Sequence, residues 1–291
     1  MLFFGKEEED RKMKKRISAI IISGLLAIAV VMSLAACGGG SGNTPAPAGS
    51  GSSATPEKAT FIMGIDPEYP PFSYLGDDGK YTGFDVEICQ AACDKLGLEL
   101  EIFEVNWDNK LIQLDANECD CIWSGMTILD SMKEAGYVLS EPYFDNSQVL
   151  LVKEDGGIKS SADLAGKDVA VQLGTSGDQL LSEDLADLAA TFNSIVRCDS
   201  FLKCFTELDG NAVEAVLVDL PVAKDYISEH EGFVILDEEL GGEQYGICFR
   251  SDDQALCDKI EGAIADLVAD GTYKEIADKY PDVVENLLFL Q

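Results

Sequence analysis

The sequence predicts an α/β protein made of two α/β units in tandem, and three observations support this. Short β-rich runs alternate with helical patterns from residue 58 onward, an alternation typical of the α/β class. The pattern restarts near residue 162, so one unit follows the other. Two more β-rich runs, Gln148–Lys153 and Gln244–Phe249, stand at the junctions of the units. The chain is therefore expected to cross between the units twice, which indicates a hinge.

The first unit opens with a predicted strand at Phe61–Ile65. Residues 85–96 carry apolar side chains at the spacing of one helix face, and Gly97 ends that helix. The remaining predicted elements of this unit are the strand Leu98–Val105, a short helix capped near Asn106, and the strand Cys121–Trp123, which leads into the stretch SGMT.

The second unit is predicted from the same signals. The strand Val169–Leu173 leads into Gly174-Thr175-Ser176, which opens a helix. A helix near residues 201–209 precedes the strand Ala215–Val218, and Pro221 stands in the first turn of the helix after it. Toward the C-terminus, an amphipathic helix is predicted from Leu256, Ile260, Ile264 and Leu267, and it ends at Gly271.

The charge balance narrows the functional classes. The 291 residues include 53 Asp+Glu against 21 Lys+Arg, a formal net charge of −32, an apolar fraction of 46% and one histidine. A chain this acidic would repel the phosphates of nucleic acids, so nucleic-acid binding is excluded. One histidine rules out a His-rich metal site and allows a Ser-His-Asp arrangement only if His230 is the base. We expect no metal and no cofactor.

The N-terminal segment has the order of a secretory signal peptide. The basic block RKMKKR (11–16) precedes the apolar run Ile17–Leu34, and Leu-Ala-Ala-Cys ends it at Cys37. That ending resembles the bacterial lipobox, whose cysteine is acylated and becomes the mature N-terminus. We predict a lipoprotein signal peptide at 1–36, lipidation at Cys37 and a flexible Gly/Ser/Pro tether at 37–57. An uncleaved helical anchor is the alternative, and Met13 is a better start than Met1.

Nine cysteines are present, and eight remain once Cys37 is assigned to the lipid. Cys89 and Cys93 share the apolar face of one predicted helix, which indicates buried thiols. The other close pairs, Cys119 with Cys121 and Cys198 with Cys204, lack the paired C-x-x-C spacing of a zinc site. Disulfides are permitted outside the membrane, but the sequence does not assign their pairing.

Several stretches of residues 58–281, taken in order, resemble one known family. They are GIDPEYPPFSY (64–74), GKYTGFDVEICQAACDKLG (79–97), NWDNKLIQL (106–114), DCIWSGMT (120–127), SEPYFDNSQV (140–149), DLAGKDVAVQLGTS (163–176), AVLVDLPVA (215–223) and YGICFRSDD with DGTYKEIADKY (245–280). Together they resemble the extracytoplasmic solute-binding proteins of ABC importers, in the class that binds polar amino acids. The resemblance implies a type II periplasmic-binding-protein-like fold, in which a two-strand hinge joins lobe 1 (58–148 and 246–291) to lobe 2 (149–245).

The resemblance also implies a ligand site between the lobes. An α-amino acid is a zwitterion, so a dry cleft must offer it a fixed anion and fixed donors. Asp219 matches the family position that binds the α-ammonium group. Two groups of positions match donors to the ligand: Gly174, Thr175 and Ser176 at a helix N-terminus, and Ser124, Gly125 and Thr127 on the opposite lobe. Tyr69, Phe72 and Trp107 match the aromatic walls of the side-chain pocket. Asp66 matches the position of a polar selector in that pocket.

Each of these positions also has an ordinary structural explanation. An aspartate after a strand, such as Asp219, is most often a helix cap, and Thr175 and Ser176 are typical capping residues. Tyr69, Phe72 and Trp107 are equally compatible with a place in the core.

One departure from the family pattern concerns the carboxylate of the ligand. The family normally carries an arginine about five residues after the SGMT stretch, but here Met132 occupies that position and Lys133 follows it. After Cys37 the chain has two arginines, Arg197 and Arg250, and neither lies there. Lys133 offers a point charge without the bidentate geometry of arginine. Either Lys133 and the helix N-terminus hold the carboxylate, or the anionic end of the ligand is altered or absent.

The expected function is the substrate-binding component of an ABC importer, which captures an amino acid or a similar small polar amine and performs no chemistry. The expected partners are the permease subunits and the membrane, where the lipid anchor holds a monomer on the outer face of the bacterial cytoplasmic membrane. One alternative is a sensor that presents its ligand to a membrane receptor. Another is an enzyme on the same scaffold, similar to cyclohexadienyl or arogenate dehydratases. It would need a proton donor over a ring substrate, and spacing alone does not assign that role to an acidic residue such as Glu68.

Overall fold

The computed structural model describes residues 59–291. The predicted signal peptide (1–36), the lipidation site Cys37 and the tether (37–57) lie outside the described residues. Among the helices between residues 59 and 291, none has both the length and the apolar composition that a membrane crossing requires.

Thirteen strands and ten α-helices form this part of the chain. The strands are β1 (Thr60–Ile65), β2 (Glu68–Tyr69), β3 (Ser73–Leu75), β4 (Tyr81–Thr82), β5 (Glu99–Glu104), β6 (Cys121–Thr127), β7 (Val138–Leu139), β8 (Phe144–Lys153), β9 (Asp168–Gln172), β10 (Ser194–Cys198), β11 (Ala215–Asp219), β12 (Phe233–Ile235) and β13 (Gly241–Phe249). The helices are α1 (Phe84–Leu96), α2 (Lys110–Asp115), α3 (Asp130–Glu134), α4 (Ser176–Leu180), α5 (Ala186–Ala189), α6 (Phe201–Asp209), α7 (Leu220–Glu229), α8 (Gln254–Asp270), α9 (Thr272–Ala277) and α10 (Pro281–Val284). Short 3₁₀ turns occur at Trp107–Asn109, Ser161–Leu164 and Leu288–Leu290.

Most of these strands join one mixed sheet. Its order is β10-β9-β11-β8-β13-β6-β1-β5, with β12 on β8 and β7 on β13. In one half β1 is parallel to β5 and β6, and in the other half β9 is parallel to β10 and β11. Strands β2, β3 and β4 form a separate small antiparallel sheet. The mixed sheet therefore has two halves, one from each predicted unit, and each half contains three parallel strands.

The halves meet at β8 and β13, two long antiparallel strands. Gly241 to Tyr245 of β13 pair with Gln148 to Phe144 of β8. Further along, β8 pairs with β11 of the second half, while β13 pairs with β6 of the first half. The chain passes from one half to the other along both strands, in agreement with the two β-rich runs of the sequence.

Two apolar clusters belong to one half each, and a third contains side chains from both halves. In the second half, strand residues such as Val169, Val171 and Leu217 pack together. In the first half, one cluster includes Leu114 and Ile122. A third cluster contains the packed rings of Phe72, Phe84, Phe144 and Tyr245. Full burial of one such side chain contributes about 1.5–3 kcal/mol, so this packing holds the strand ends in place.

The predicted elements are present, with some differences in length. The helix predicted over 85–96 is α1, and Gly97 ends it in the left-handed conformation at φ 70°. Pro221 stands in the first turn of α7. The strand predicted at Cys121–Trp123 continues to Thr127 because its last residues pair with β13. Cys89 and Cys93 are buried as predicted, and all eight cysteines of the described region are buried free thiols.

Candidate functional site

A cavity lies where the carboxyl ends of four strands meet, two from each half of the sheet. Asp66 follows β1 and Thr127 ends β6, while Gln172 ends β9 and Asp219 ends β11. The empty space of the cavity, including its opening to solvent, is about 250 Å³, and its lining consists of Asp66, Tyr69, Trp107, Gly125, Thr127, Gln172, Thr175, Ser176 and Asp219. In open α/β sheets ligands bind outside the carboxyl ends of the strands, so this cavity is the candidate site.

Asp219 is a buried hydrogen-bond acceptor at the end of β11. Its Oδ1 accepts from Asn146 Nδ2 and from Gln148 Nε2, each at 2.6 Å, and from the Tyr245 hydroxyl at 2.9 Å. Although Asp219 stands at the N-cap position of α7, its side chain makes no capping hydrogen bond. Its carboxylate is therefore oriented by neighbouring side chains at the cavity and not by the helix.

Glu243 shares two of these donors with Asp219. Asn146 Nδ2 also donates to Glu243 Oε1 at 2.7 Å, and Gln148 Nε2 donates to the same oxygen at 3.1 Å. Burial, followed by the charge of Glu243, raises the pKa of Asp219 to about 8. Two carboxylates held this close repel each other, so a cation beside them would be stabilised by both.

Aromatic side chains form one wall of the cavity. Tyr69 and Trp107 line it, and the Tyr69 hydroxyl lies 2.8 Å from the Tyr245 hydroxyl. Because Tyr245 donates its own proton to Asp219, Tyr69 is the donor in this pair. Phe72 stacks behind Tyr69 at a centroid distance of 5.6 Å and is fully buried. Phe72 thus supports the wall from behind, and Trp107 both lines the cavity and packs in the core.

Asp66 and Gln172 link the two halves across the cavity. Gln172 Nε2 donates to Asp66 Oδ2 at 2.6 Å, and both side chains are buried. The other carboxylate oxygen of Asp66 accepts from the Glu68 backbone N–H at 2.9 Å. Burial raises the pKa of Asp66. Ser124 Oγ accepts from the Asp66 backbone N–H at 3.1 Å, so Ser124 positions this segment from behind the lining.

Lys110 makes a second link between the halves. Its Nζ donates to the Gly174 carbonyl at 2.7 Å and to the Trp107 carbonyl at 3.1 Å, and it lies 4.7 Å from the centroid of the Trp107 ring. Burial lowers the pKa of Lys110 to about 8. Gly174 has a φ of +75°, and a Cβ added there would lie 2.7 Å from Asp108 Cα. The close approach of the two backbones therefore requires glycine.

Thr175 and Ser176 begin α4 at the edge of the cavity. Thr175 Oγ1 accepts from the Asp178 backbone N–H at 3.2 Å and donates to the Gln172 carbonyl at 2.8 Å. Ser176 Oγ lies 3.3 Å from the donor Gln148 Nε2. Thr175 therefore caps the helix, and it lines the cavity at the same time.

Asp85 holds the opposite edge of the cavity in place. Its Oδ2 accepts from the Gly125 backbone N–H at 2.8 Å and from the Tyr143 hydroxyl at 2.7 Å. Gly125 itself has a φ of +53°, and a Cβ added there would lie 2.4 Å from Tyr69 Cε1. Asp85 is fully buried, which raises its pKa to about 7.

Eight of the twelve site residues expected from the sequence line the cavity, and Phe72, Ser124 and Gly174 lie directly behind the lining. Lys133 is not brought to the site. Its side chain is exposed on α3 and pairs with Asp130 at 3.3 Å. The preceding Met132 is 3% exposed in the apolar cluster that contains Leu114. The position expected to carry a cation for the ligand therefore contributes none.

Other residues of the site did not emerge from the sequence. They are Gln172 in the lining, the group Asn146, Gln148, Glu243 and Tyr245 around Asp219, and Lys110 and Asp85 behind it. A glutamine beside an apolar run was a usable signal for Gln148 within β8 and for Gln172 at the end of β9, because a buried amide requires partners. Glu243 carried no comparable signal, since acidic residues are abundant throughout the chain.

Residues 61–282 match the sequence profile of the bacterial extracellular solute-binding proteins, family 3, and the chain belongs to this family. The fold agrees with this assignment, because its structural neighbours are two-lobed type II periplasmic binding proteins.

Three relatives illustrate the similarity. The L-cystine-binding protein TcyJ of Escherichia coli (strain K12) is 31% identical over 227 residues, which cover 77% of this chain and 83% of that protein. A mutant of ArgBP from T. maritima has a TM-score of 0.70 at 33% identity, and the match covers 76% of this chain and 95% of that chain. A substrate-binding protein of an ABC uptake transporter from Streptococcus pneumoniae, solved with bound histidine, has a TM-score of 0.73 at 26% identity, over 76% of this chain and 92% of that one.

Proposed function

We propose that this protein is the substrate-binding component of an ABC importer and captures an amino acid or a similar small polar amine between two closing lobes. Lobe 1 comprises 58–148 and 246–291, and lobe 2 comprises 149–245. The chain performs no chemistry on the ligand. Its relatives include binding proteins for cystine, arginine and histidine, which supports a small nitrogen-containing solute.

The observation that carries this proposal is the convergence of both halves of the sheet on one cavity. Asp66 and Tyr69 come from the first half, and Gln172 and Asp219 come from the second. A buried carboxylate is costly unless it is paired. An ammonium group beside Asp219 would supply the missing charge, while the rings of Tyr69 and Trp107 would pack against the ligand.

The mechanism follows from the connection between the halves. β8 and β13 are the two strands that pass from one half to the other, and they can act as a hinge. In the closed form, the hydrogen bond from Gln172 to Asp66 and the one from Lys110 to Gly174 join the halves. A ligand in the cavity stabilises this form, and the closed form docks on the permease subunits. Ligand binding is thereby coupled to delivery.

In this proposal, the N-terminal segment attaches the protein to the membrane through a lipid. Signal peptidase removes 1–36, acylation of Cys37 anchors a monomer to the outer face of the cytoplasmic membrane, and the tether 37–57 leaves the body free to reach the permease. Labelled fatty acid should be incorporated into the wild-type protein and not into Cys37→Ser, which should be released from washed membranes. A Cys37→Ser protein that stays membrane-bound would contradict the lipid anchor.

Binding itself is tested by a thermal-shift screen of amino acids and amines. A ligand held at 100 times its dissociation constant adds about 2.7 kcal/mol of stability, which is readily measured. Asp219→Ala should abolish the response, while Asp94→Ala, which alters an exposed carboxylate on α1, should preserve it. A full response from Asp219→Ala would exclude this cavity as the binding site.

A further inference from the structure

The ionisable side chains that line the cavity are acidic. They include the carboxyl groups of Asp66 and Asp219, and Glu243 shares the donors of Asp219. Within residues 59–291, no lysine or arginine side chain belongs to the lining. A zwitterionic ligand would bring one negative group into these surroundings, whereas an amine without a carboxylate would bring none.

The basic side chains that could compensate a carboxylate are paired with aspartates, with the exception of Lys110. Lys110 donates to the neutral Gly174 and Trp107 carbonyls behind the lining, and its positive charge acts on Asp66. Arg197 Nε pairs with Asp178 Oδ1 at 2.7 Å, and Arg250 Nε pairs with Asp253 Oδ2 at 2.7 Å. Lys133 pairs with Asp130. Both arginines of the described region are thus engaged elsewhere.

Some donors of the loop that would hold a carboxylate already have acceptors. The Thr175 hydroxyl donates to the Gln172 carbonyl. The Gly174 backbone N–H points to Asp178 Oδ2 at 3.4 Å, and the Asp178 N–H donates to Thr175. The helix behind this loop, α4, has five residues, so its dipole is small. Asp178 is itself paired with Arg197, so the loop offers a carboxylate no unpaired cation and only neutral N–H and O–H donors.

A groove that continues outward from the cavity is acidic as well. Thr127 and Ser176 line both spaces. Five carboxylates line the groove, at Asp130, Glu134, Glu183, Asp184 and Glu243, and its lining within the described residues includes no lysine or arginine. The groove includes part of α3, the helix on which the family pattern places its arginine. The charge at this end of the site is therefore opposite to what a carboxylate requires.

Buried acceptors reinforce the same preference. Gln172 lines the cavity and is 1% exposed, yet its Oε1 has no hydrogen-bond partner among the described residues. The amide oxygens of Asn146 and Gln148 beside Asp219 are likewise buried and unpartnered there. A buried acceptor without a donor is costly. Ammonium groups carry donors and no acceptors, so they complement this set of groups.

We propose that the ligand is an amine with two or more cationic groups and no carboxylate, a diamine or a polyamine. This proposal rests on the proposed function, since it specifies the ligand of the same cavity. One ammonium binds beside Asp219 and Glu243, and a second cationic group binds at Asp66 against the rings of Tyr69 and Trp107. A longer polyamine extends past Thr127 and Ser176 into the acidic groove.

Matched pairs of an amino acid and its decarboxylated amine test the proposal by calorimetry on the purified protein. The pairs are arginine with agmatine, ornithine with putrescine and lysine with cadaverine. In at least one pair the amine should bind at least tenfold more tightly than its amino acid, and its affinity should fall with added salt. Tighter binding of the amino acid in each pair would overturn the diamine proposal and leave the proposed function intact. Binding of no amino acid and no amine would overturn both.

A variant tests the role of the second carboxylate. Glu243→Gln keeps the shape of the side chain and removes its charge, so affinity for the best amine should fall about tenfold. Glu285→Gln removes the same charge at an exposed position that lines neither the cavity nor the groove, and its affinity should stay within about twofold of the wild type. Equal affinities of the two variants would show that Glu243 does not bind the ligand. Their melting temperatures would report any loss of folding.

Discussion

Gln172 donates a 2.6 Å hydrogen bond to Asp66, and this bond joins two residues that lie 106 positions apart in the chain. One residue ends a strand of the second half of the sheet, and the other follows a strand of the first half. The bond therefore exists only when the two halves are close together. It is a structural marker of the closed form.

Gln172→Ala should weaken ligand binding by about 10- to 100-fold. A hydrogen bond to a charged group contributes about 1.5–3 kcal/mol, and each 1.4 kcal/mol corresponds to about tenfold in affinity. Calorimetry gives the affinity, and small-angle scattering gives the closed fraction. Gln90→Ala removes an exposed glutamine that bonds to Asp94 within α1 and should behave like the wild type. An unaltered affinity in Gln172→Ala would argue against a role in closure.

Gly174→Ala should block closure more than it reduces stability. The added Cβ would lie 2.7 Å from Asp108 Cα in the opposite half, so the ligand affinity should fall at least tenfold. Gly166→Ala is the matched control, because Gly166 has a φ of +74° and no atom within 4 Å of an added Cβ. Both variants should lose about 1–2 kcal/mol through backbone strain, measured by urea denaturation. If both lose affinity equally, the contact with Asp108 is not important for closure.

Asp85→Ala should destabilise the protein by about 2–6 kcal/mol. It removes the acceptor of the Gly125 N–H and of the Tyr143 hydroxyl, and each buried donor left unpaired costs about 1–3 kcal/mol. Asp85→Asn retains one acceptor oxygen and should lose less than half as much. Denaturation with urea measures both values, with Asp94→Ala on the same helix as an exposed control. Similar losses from the alanine and asparagine variants would mean that the hydrogen bonds are not the cause.

The free energy of unfolding of the ligand-free protein should fall as the pH rises from about 5 to about 8. The pKa of Asp219 is raised to about 8 and that of Asp85 to about 7, above the value of about 3.9 for an unfolded aspartate. In this window the native state binds more protons than the unfolded state, so stability is lost with increasing pH. Asp219→Asn and Asp85→Asn should each flatten the slope, and Glu285→Gln should not. A wild-type slope in both asparagine variants would refute this origin.

Much of the fold followed from local patterns of the sequence. The apolar spacing over 85–96 and the glycine after it depend on residues within one helix, and α1 ends at Leu96 as expected. The strand before Asp219 and the proline after it were recognisable for the same reason. The stretches that resemble the family also placed Asp66, Tyr69, Trp107 and Asp219, and the structure brings these four side chains to one cavity.

The charge of the site was decided by tertiary structure. The sequence by itself determined that an arginine was missing after the SGMT stretch, but it left Lys133 as a substitute. The fold turns Met132 into the core and leaves Lys133 in solvent beside Asp130. It also brings Glu243 to Asp219 through the shared amides of Asn146 and Gln148. These contacts join different strands across the sheet, so their formation depends on how the two halves pack and not on any pattern within one segment.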